Sequence, residues 1–360
     1  MISRRLRVLV TGAFGNLGSH LVEELCARDV ALTCFDLESP AARAQARRLS
    51  TRRAFAVAWG DIRAGERVAE VIAQARPDAI VHLAAVIPTL AYKRPALSQS
   101  VNVEGTRNVL ASAEATGRAP RILFASSYAV HGARNGKKAL SRLTADTPLA
   151  PFDPYGQQKV ACERMLRESA LPWSILRLGA VLPVRYPRTL DEADVRLAFE
   201  LPADARDHAI HGRDAAVAFA NALTADCVGK TLLIGGGEGW SLTKGEYLDR
   251  TLDALGIGAL PRSAYCPADP DADAAWYFCD WLDTAEAEAL LSFQRRRVDD
   301  YFRELARSTG ITRTLARLAA PVVRRRLLRL SPYYRGDRRL VVQPTWERIE
   351  PIFAPRRAAA

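Results

Sequence analysis

The chain has 360 residues, of which 49% are apolar and 25% are charged, and its formal net charge at pH 7 is +11. This length is enough for one large domain and a smaller lobe, and the lack of any run of about 18 apolar residues excludes a membrane-spanning helix. The first strand begins almost at the N-terminus, so we expect no signal peptide. Six cysteines without a C-x-x-C pair predict reduced thiols in a cytoplasmic protein, and the five histidines form no metal-binding pattern.

A glycine-rich turn follows the first predicted strand. The apolar run 6–10 predicts a buried strand, and a glycine then occurs at every third position ahead of a helical apolar stripe. Glycines there permit a tight bend and close backbone approach to a diphosphate, whose charge the helix N-terminus favours. The alternative is a glycine turn in an α/β domain that binds no nucleotide. The residues predicted to contact the diphosphate are Gly12, Gly15, Asn16, Leu17 and Gly18.

A second apolar run, 30–35, ends on Asp36. An acidic residue at this position would hold a ribose 2′-hydroxyl and repel a 2′-phosphate, which predicts NAD rather than NADP as cofactor. Predicted strands and helices then alternate to about residue 126. This alternation is typical of an α/β fold in which helices cover both faces of a parallel sheet.

Tyr155 and Lys159 are four residues apart, which places both side chains on one face of a helix. An ammonium beside a phenol favours the phenolate, so we expect a lowered pKa at Tyr155. Such a phenol is a general acid and base for an alcohol oxygen. The spacing alone also occurs by chance in many helices.

Together these motifs resemble the extended short-chain dehydrogenase/reductase family of NAD-dependent epimerases and dehydratases, over most of the chain to about residue 305. Besides the glycine spacing, the resemblance rests on small residues closing the fourth strand, an asparagine opening a long helix, and Ser127 ending the fifth strand. It implies a Rossmann-like doubly wound parallel sheet and a catalytic triad of Ser127, Tyr155 and Lys159. Ser127 would bond the substrate oxygen, and Lys159 would also hold the nicotinamide ribose. The other cofactor contacts that it implies are Asp61, Ile62, Leu83, Ala84, Ala85 and Asn102.

Simpler roles remain open for three of these residues. Asp61 could cap the helix that follows it, and Asn102 could be a buried amide that satisfies backbone groups. Ser127 could be a small residue at a crowded strand end. The residues themselves do not decide between these alternatives and the roles that the resemblance implies.

The reaction class is narrowed by departures from the family pattern. Tyr128 and Ala129 follow Ser127 where dehydratases have a carboxylate pair, which argues against dehydration. Ala180 stands where epimerases have an asparagine that helps to hold a sugar-nucleotide diphosphate, and His131 replaces a tyrosine. We therefore predict hydride transfer between NAD and an alcohol or ketone, with a nucleotide-sugar 4-epimerase as the alternative. A cofactor-binding scaffold or sensor is the non-enzyme alternative. The candidate substrate contacts are Tyr92, Tyr128 and Arg185, with Tyr186 and Arg188 nearby.

Three regions are predicted: a nucleotide domain over 1–180, a substrate lobe over 181–310 and a basic tail over 311–360. Within the lobe, a helix at 214–224 and a strand at 231–234 are expected to return to the main sheet, with Asp214 in a structural role. The resemblance also implies a homodimer.

The basic tail holds most of the positive charge. It contains twelve arginines against three carboxylates, so residues 311–360 carry +9 of the net +11. Apolar residues recur at helical spacing between 315 and 330, and Pro321 is expected to start a second short helix. Three interpretations remain: peripheral contact of 311–330 with an anionic membrane, docking on the enzyme or a second subunit, and nucleic-acid binding. We favour docking and predict no nucleic-acid partner, because no recognisable module is present.

Overall fold

The computed structural model describes residues 5–51, 53–139, 141–184, 191–336 and 339–354. The strands are β1 (Leu6–Thr11), β2 (Val30–Asp36), β3 (Ala56–Trp59), β4 (Ala79–His82), β5 (Arg121–Ser127), β6 (Trp173–Leu178), β7 (Ala180–Leu182), β8 (Arg206–His211), β9 (Thr231–Ile234) and β10 (Ser241–Thr243). The α-helices are α1 (Asn16–Cys26), α2 (Pro40–Ser50), α3 (Gly65–Ala75), α4 (Leu90–Lys93), α5 (Pro95–Gln99), α6 (Gly105–Ala115), α7 (Pro154–Glu168), α8 (Glu192–Glu200), α9 (Gly212–Ala222), α10 (Lys244–Ala254), α11 (Ala285–Leu291), α12 (Val298–Ser308), α13 (Ile311–Leu330) and α14 (Thr345–Phe353).

The main sheet is parallel, with the strand order β3-β2-β1-β4-β5-β6-β9. Its central strands β4 and β5 are apolar runs buried on both sides, because helices cover both faces. Helices α1, α2 and α9 pack on one face through residues such as Leu21 and Phe219, and α3, α6 and α7 pack on the other through residues such as Val71 and Leu166. The predicted doubly wound α/β fold is therefore confirmed, including the return of β9 to the main sheet.

A smaller sheet, β10-β8-β7, lies in the C-terminal part of the chain. Strand β8 pairs in parallel with β7 and antiparallel with β10. Asp214, at the start of α9, accepts hydrogen bonds from the amides of Arg295 and Arg296 at 3.0 and 2.8 Å. It thereby joins α9 to the segment before α12, which is the structural role predicted for it.

The tail folds onto the rest of the chain. Helix α13 is continuous with Pro321 inside it, so the prediction of a second helix starting there is wrong. Contacts on both sides of Pro321 hold the helix: Arg313 donates to the carbonyl of Asp253, and Leu327 packs in a cluster with Phe199. Helix α14 buries Phe353 in a separate hydrophobic cluster that includes Tyr92. Docking on the enzyme, one of the three interpretations, is therefore confirmed for α14 and the second half of α13. Among the described helices, none is both long and apolar enough to traverse a bilayer.

Candidate active site

The turn after β1 requires glycine at two positions. Gly12 has a φ of +67°, and a Cβ there would lie 2.8 Å from the amide nitrogen of Ala84. A Cβ on Gly18 would lie 2.1 Å from the carbonyl oxygen of Gly12, so α1 begins directly against the turn. A Cβ on Gly15 would make only an ordinary contact of 3.5 Å, and Gly15 and Asn16 are exposed. The N-terminus of α1 is therefore accessible to a negatively charged group.

Asp36 lies at the carboxyl end of β2, beside this turn. Its carboxylate oxygens accept hydrogen bonds from the amides of Phe14 and Leu37, each at 2.7 Å. Burial raises the pKa of this carboxyl group, and the two amides oppose that change. Each oxygen retains a lone pair for a ribose hydroxyl. The turn and Asp36 together fit the adenosine diphosphate part of a dinucleotide, while Leu17 packs inward against the core.

Two further predicted cofactor contacts, Asp61 and Ile62, have partners within the chain. The carboxylate of Asp61 accepts hydrogen bonds from Nε and Nη2 of the Arg63 guanidinium and from the Arg63 amide. Asp61 does not cap α3, because Ala64 occupies the capping position. Ile62 is buried beneath α6, where a Cβ on Gly105 would come within 2.7 Å of its side chain.

Buried polar contacts fix the segment after β4. The Thr11 hydroxyl lies 2.7 Å from His82 Nδ1 and accepts a hydrogen bond from the Ala84 amide at 3.3 Å. Asn102 accepts from the amide of Val86 and donates to its carbonyl. The side-chain amide of Asn102 also donates to Gln158 on α7 at 2.7 Å, so its observed role is to join this segment to α7. Three predicted cofactor contacts lie in this partly buried segment: Leu83, Ala84 and Ala85.

The three predicted catalytic side chains meet at the carboxyl end of β5. Ser127 ends this strand, where its hydroxyl accepts from the Ala129 amide at 3.2 Å and lies near enough to the phenol of Tyr155, at the start of α7, to influence its pKa. Lys159 lies one turn further along α7, with its Nζ 5.7 Å from the centre of the Tyr155 ring and 2.7 Å from the carbonyl oxygen of Ala125. All three are at most 7% exposed. The structure brings them together, and their catalytic role stays a prediction.

Burial controls the acidity of this pair. It raises the pKa of Tyr155 above the usual range, although the hydrogen bond with Ser127 opposes the rise. It also lowers the pKa of Lys159 to about 8. The prediction that the lysine lowers the phenol pKa is therefore wrong for this structure, because the ammonium is directed to the Ala125 carbonyl and the loss of water dominates.

A buried ion pair that was not predicted from the sequence lies behind the triad. Glu163, one turn beyond Lys159, accepts hydrogen bonds from Arg177 Nε and Nη2 at 2.9 and 2.8 Å. It also accepts from the hydroxyl of Ser126, next to Ser127, at 2.6 Å. This network joins β5, β6 and α7. The signal was a carboxylate four residues after Lys159, on the same helical face.

The predicted substrate contacts Tyr92 and Tyr128 are buried, and each phenol donates to a carboxylate. Tyr92 donates to Asp153, and Tyr128 donates to Asp207 at 3.0 Å. Asp153 caps α7 by accepting from an amide of its first turn at 2.6 Å, a role that the Asp-Pro pair before this helix could have indicated. Arg185 lies outside the described residues, as do its neighbours at 186 and 188. Substrate binding by these residues stays a prediction.

Comparison with known proteins adds the family. Residues 8–186 match the NAD dependent epimerase/dehydratase family. The match extends from the glycine turn through Ser127, Tyr155 and Lys159 to Arg177. The chain belongs to this family. This is the family of NAD-dependent enzymes that the sequence predicted.

Individual relatives cover different activities. UDP-glucose 4-epimerase 4 of Oryza sativa subsp. japonica is 32% identical over 186 residues, which are 49% of this chain and 49% of that protein. D-erythronate dehydrogenase of Haemophilus influenzae is 29% identical over 167 residues, 45% of this chain and 50% of that protein. The chain thus spans about half the length of the curated relatives it matches. The crystal structure of UDP-glucose 4-epimerase of Thermus thermophilus, a complex with NAD, has a TM-score of 0.65 at 24% identity and covers 83% of this chain and 99% of that chain.

Proposed function

We propose that the protein is an NAD-dependent nucleotide-sugar 4-epimerase. The observation that carries the proposal is the Ser127, Tyr155 and Lys159 cluster at the carboxyl end of β5, one strand away from the crevice where the strand order reverses between β1 and β4. The similarity of residues 8–186 to epimerases supports this substrate class. The proposal reverses the order favoured by the sequence, where an alcohol or ketone oxidoreductase came first.

Two residues, His131 and Ala180, argued against an epimerase, and the structure removes the objection at His131. His131 is 3% exposed, lies 3.3 Å from the Pro148 carbonyl oxygen and is 3.4 Å from Arg177. It therefore packs behind the triad, and its departure from the family pattern does not remove a substrate contact. Ala180 remains a departure, since it has no side-chain donor for a diphosphate.

The chain's own residues supply binding and proton transfer. NAD would be held by the glycine turn, Asp36 and Lys159, and when bound it accepts and returns a hydride at the alcohol carbon. Tyr155 takes and returns the hydroxyl proton, and Ser127 holds the substrate oxygen. Because the pKa of Lys159 is about 8, its side chain is mostly an ammonium at neutral pH and can donate hydrogen bonds to the nicotinamide ribose.

A dehydrogenase that releases its reduced product is the second candidate. Ala180 and the similarity to D-erythronate dehydrogenase favour it. The two candidates differ in their net reaction, because an epimerase leaves the cofactor unchanged over a full cycle whereas a dehydrogenase accumulates reduced cofactor. A cytoplasmic location and a homodimer stay predictions under either candidate.

The test is to incubate the purified chain and NAD with UDP-glucose, and separately with D-erythronate. We expect chromatography to show UDP-galactose, without net reduced cofactor in the absorbance. Ser127→Ala should slow the interconversion, because the substrate oxygen loses a hydrogen bond. If D-erythronate causes net reduction of NAD and the nucleotide sugars are not interconverted, the second candidate replaces the proposal.

A further inference from the structure

The face of α13 that points away from the protein is apolar. Ile311, Leu315, Leu318 and Val322 recur at helical spacing, and each is between 60% and 79% exposed. The opposite face docks on the enzyme, where Leu327 is 8% exposed. A row of large exposed aliphatic side chains on one face is typical of an interaction surface. We call these four residues the apolar stripe.

Arginines accompany the apolar stripe without acidic neighbours in the sequence. No carboxylate occurs between residues 311 and 336, where arginine occurs seven times. Helical spacing places Arg325, Arg326 and Arg329 on the same side as the stripe, toward the C-terminal end of α13. In the part of the chain that the structure describes, these three arginines form no ion pair. The outward face therefore presents an apolar half followed by a basic half.

We propose that this face of α13 docks on the surface of an anionic lipid bilayer. The helix has 20 residues and is about 30 Å long, so it can lie in the plane of the interface. The apolar stripe would enter the headgroup region, and the three arginines would contact lipid phosphates. Because α13 also packs on the rest of the chain through Leu327, docking orients the whole chain relative to the membrane. The proposal does not depend on the proposed substrate.

Two other occupants fit the face less well. Nucleic acid would use the arginines, but α13 contains no aromatic side chain on which a base could stack, and the apolar stripe would be left without a role. A second copy of the chain would bury the stripe, but it would bring no carboxylate from this segment to the unpaired arginines. A bilayer with acidic headgroups satisfies both halves of the face.

The first experiment measures vesicle flotation of the full chain. Vesicles of phosphatidylcholine alone are compared with vesicles containing about 30% phosphatidylglycerol, at about 50 and 500 mM salt. We expect roughly tenfold more protein on the acidic vesicles at low salt, and a large loss of that binding at high salt. Equal binding to both vesicle types would overturn the proposal.

Two matched pairs of variants locate the contact. Leu315→Gln with Leu318→Gln should lower binding roughly tenfold, while Val228→Gln, at another exposed aliphatic residue, should not change it. Neutralising the three arginines should remove the preference for acidic vesicles, while the same charge change elsewhere should preserve it. The arginine variant is R325Q/R326Q/R329Q, and its control is R47Q/R48Q/R118Q.

Further measurements test the folding of the stripe variant and the two other occupants of the face. Circular dichroism and NAD binding of the stripe variant should equal those of the parent chain, because the substituted side chains lie on the exposed face. Unchanged flotation of a folded stripe variant would overturn the proposal. So would light scattering that shows a dimer of the parent chain and a monomer of the stripe variant without vesicles, or binding of a single-stranded RNA by the parent chain that R325Q/R326Q/R329Q loses.

Discussion

Helices α7 and α13 depart from the ordinary distribution of side chains in opposite directions. Helix α7 buries Tyr155, Lys159 and Glu163, which are polar, whereas α13 exposes Leu318 and Val322, which are apolar. Burying a polar group costs free energy unless it is paired, and each of the three has a partner. The exposed aliphatic residues have no such compensation within the described chain. Such departures are more informative about function than the ordinary core.

The largest effect is expected at Tyr155, and it tests most directly whether the buried polar residues of α7 have a function. Tyr155→Phe removes the hydroxyl that we propose moves the substrate proton, so we expect kcat to fall about 10²–10⁴-fold. NAD affinity, measured by fluorescence titration, should change little. Tyr247→Phe is the matched control, because this buried phenol donates to the Trp240 carbonyl in the smaller lobe. Near-normal turnover by the Tyr155 variant would remove the triad from the mechanism.

The next largest effect is expected at Glu163, which is wholly buried. Glu163→Gln leaves Arg177 charged and without its carboxylate, and we expect the free energy of unfolding to fall by about 3–5 kcal/mol. Arg167 contacts the same carboxylate from a position 36% exposed, so Arg167→Gln should cost less than about 1 kcal/mol. Urea unfolding of both variants measures the difference. Equal losses would show that burial does not set the strength of this network.

Much of α7 and its surroundings could be predicted from the sequence because the signals are local. The spacing of Tyr155 and Lys159, the glycine turn and the strand ending on Asp36 each lie within a few residues. Chain order then places strand ends at one edge of a parallel sheet. The cap at Asp153 and the carboxylate of Glu163 were equally local, and the same reasoning could have found them.

The orientation of α13 could not be predicted, because it depends on contacts with distant segments. Leu315 and Leu327 lie on different faces of α13, and both faces carry apolar residues, so the sequence does not tell which face is buried. In the structure Leu315 is 60% exposed, whereas Leu327 is packed near Phe199. The same reason explains Pro321, whose helix is held from both sides by tertiary contacts. The raised pKa of Tyr155 was not predicted, because the spacing from Lys159 indicates a lowered pKa and does not show how deeply the phenol is buried.

A third, smaller effect is expected at Phe353, and it tests whether α14 stabilises the part of the chain that carries α7. The ring of Phe353 lies 5.3 Å from that of Tyr92, which donates to the Asp153 cap of α7. Phe353→Ala should lower the free energy of unfolding by about 3 kcal/mol, because a buried aromatic contact with α4 is lost. Exposed Glu350 lies on the same helix, and Glu350→Ala should stay within about 0.5 kcal/mol. If thermal unfolding shows the same stability for Phe353→Ala as for the parent chain, α14 contributes no stability.

The smallest effect concerns pH and a second buried polar group. His82 lies between the hydroxyls of Thr11 and Thr106, at 2.7 and 3.0 Å, and burial lowers its pKa to about 3. The unfolded chain binds this proton below about pH 6.5 while the folded chain does not, so the contribution of His82 to stability is complete above that pH and is lost as the pH falls toward 3. Between pH 6.5 and 5 the loss is about 2 kcal/mol. His82→Gln removes this proton, so urea unfolding at the two pH values should show a smaller acid loss for the variant. An equal loss in both proteins would mean that other groups govern acid stability, and that burial at His82 does not act as it does at Tyr155 and Lys159.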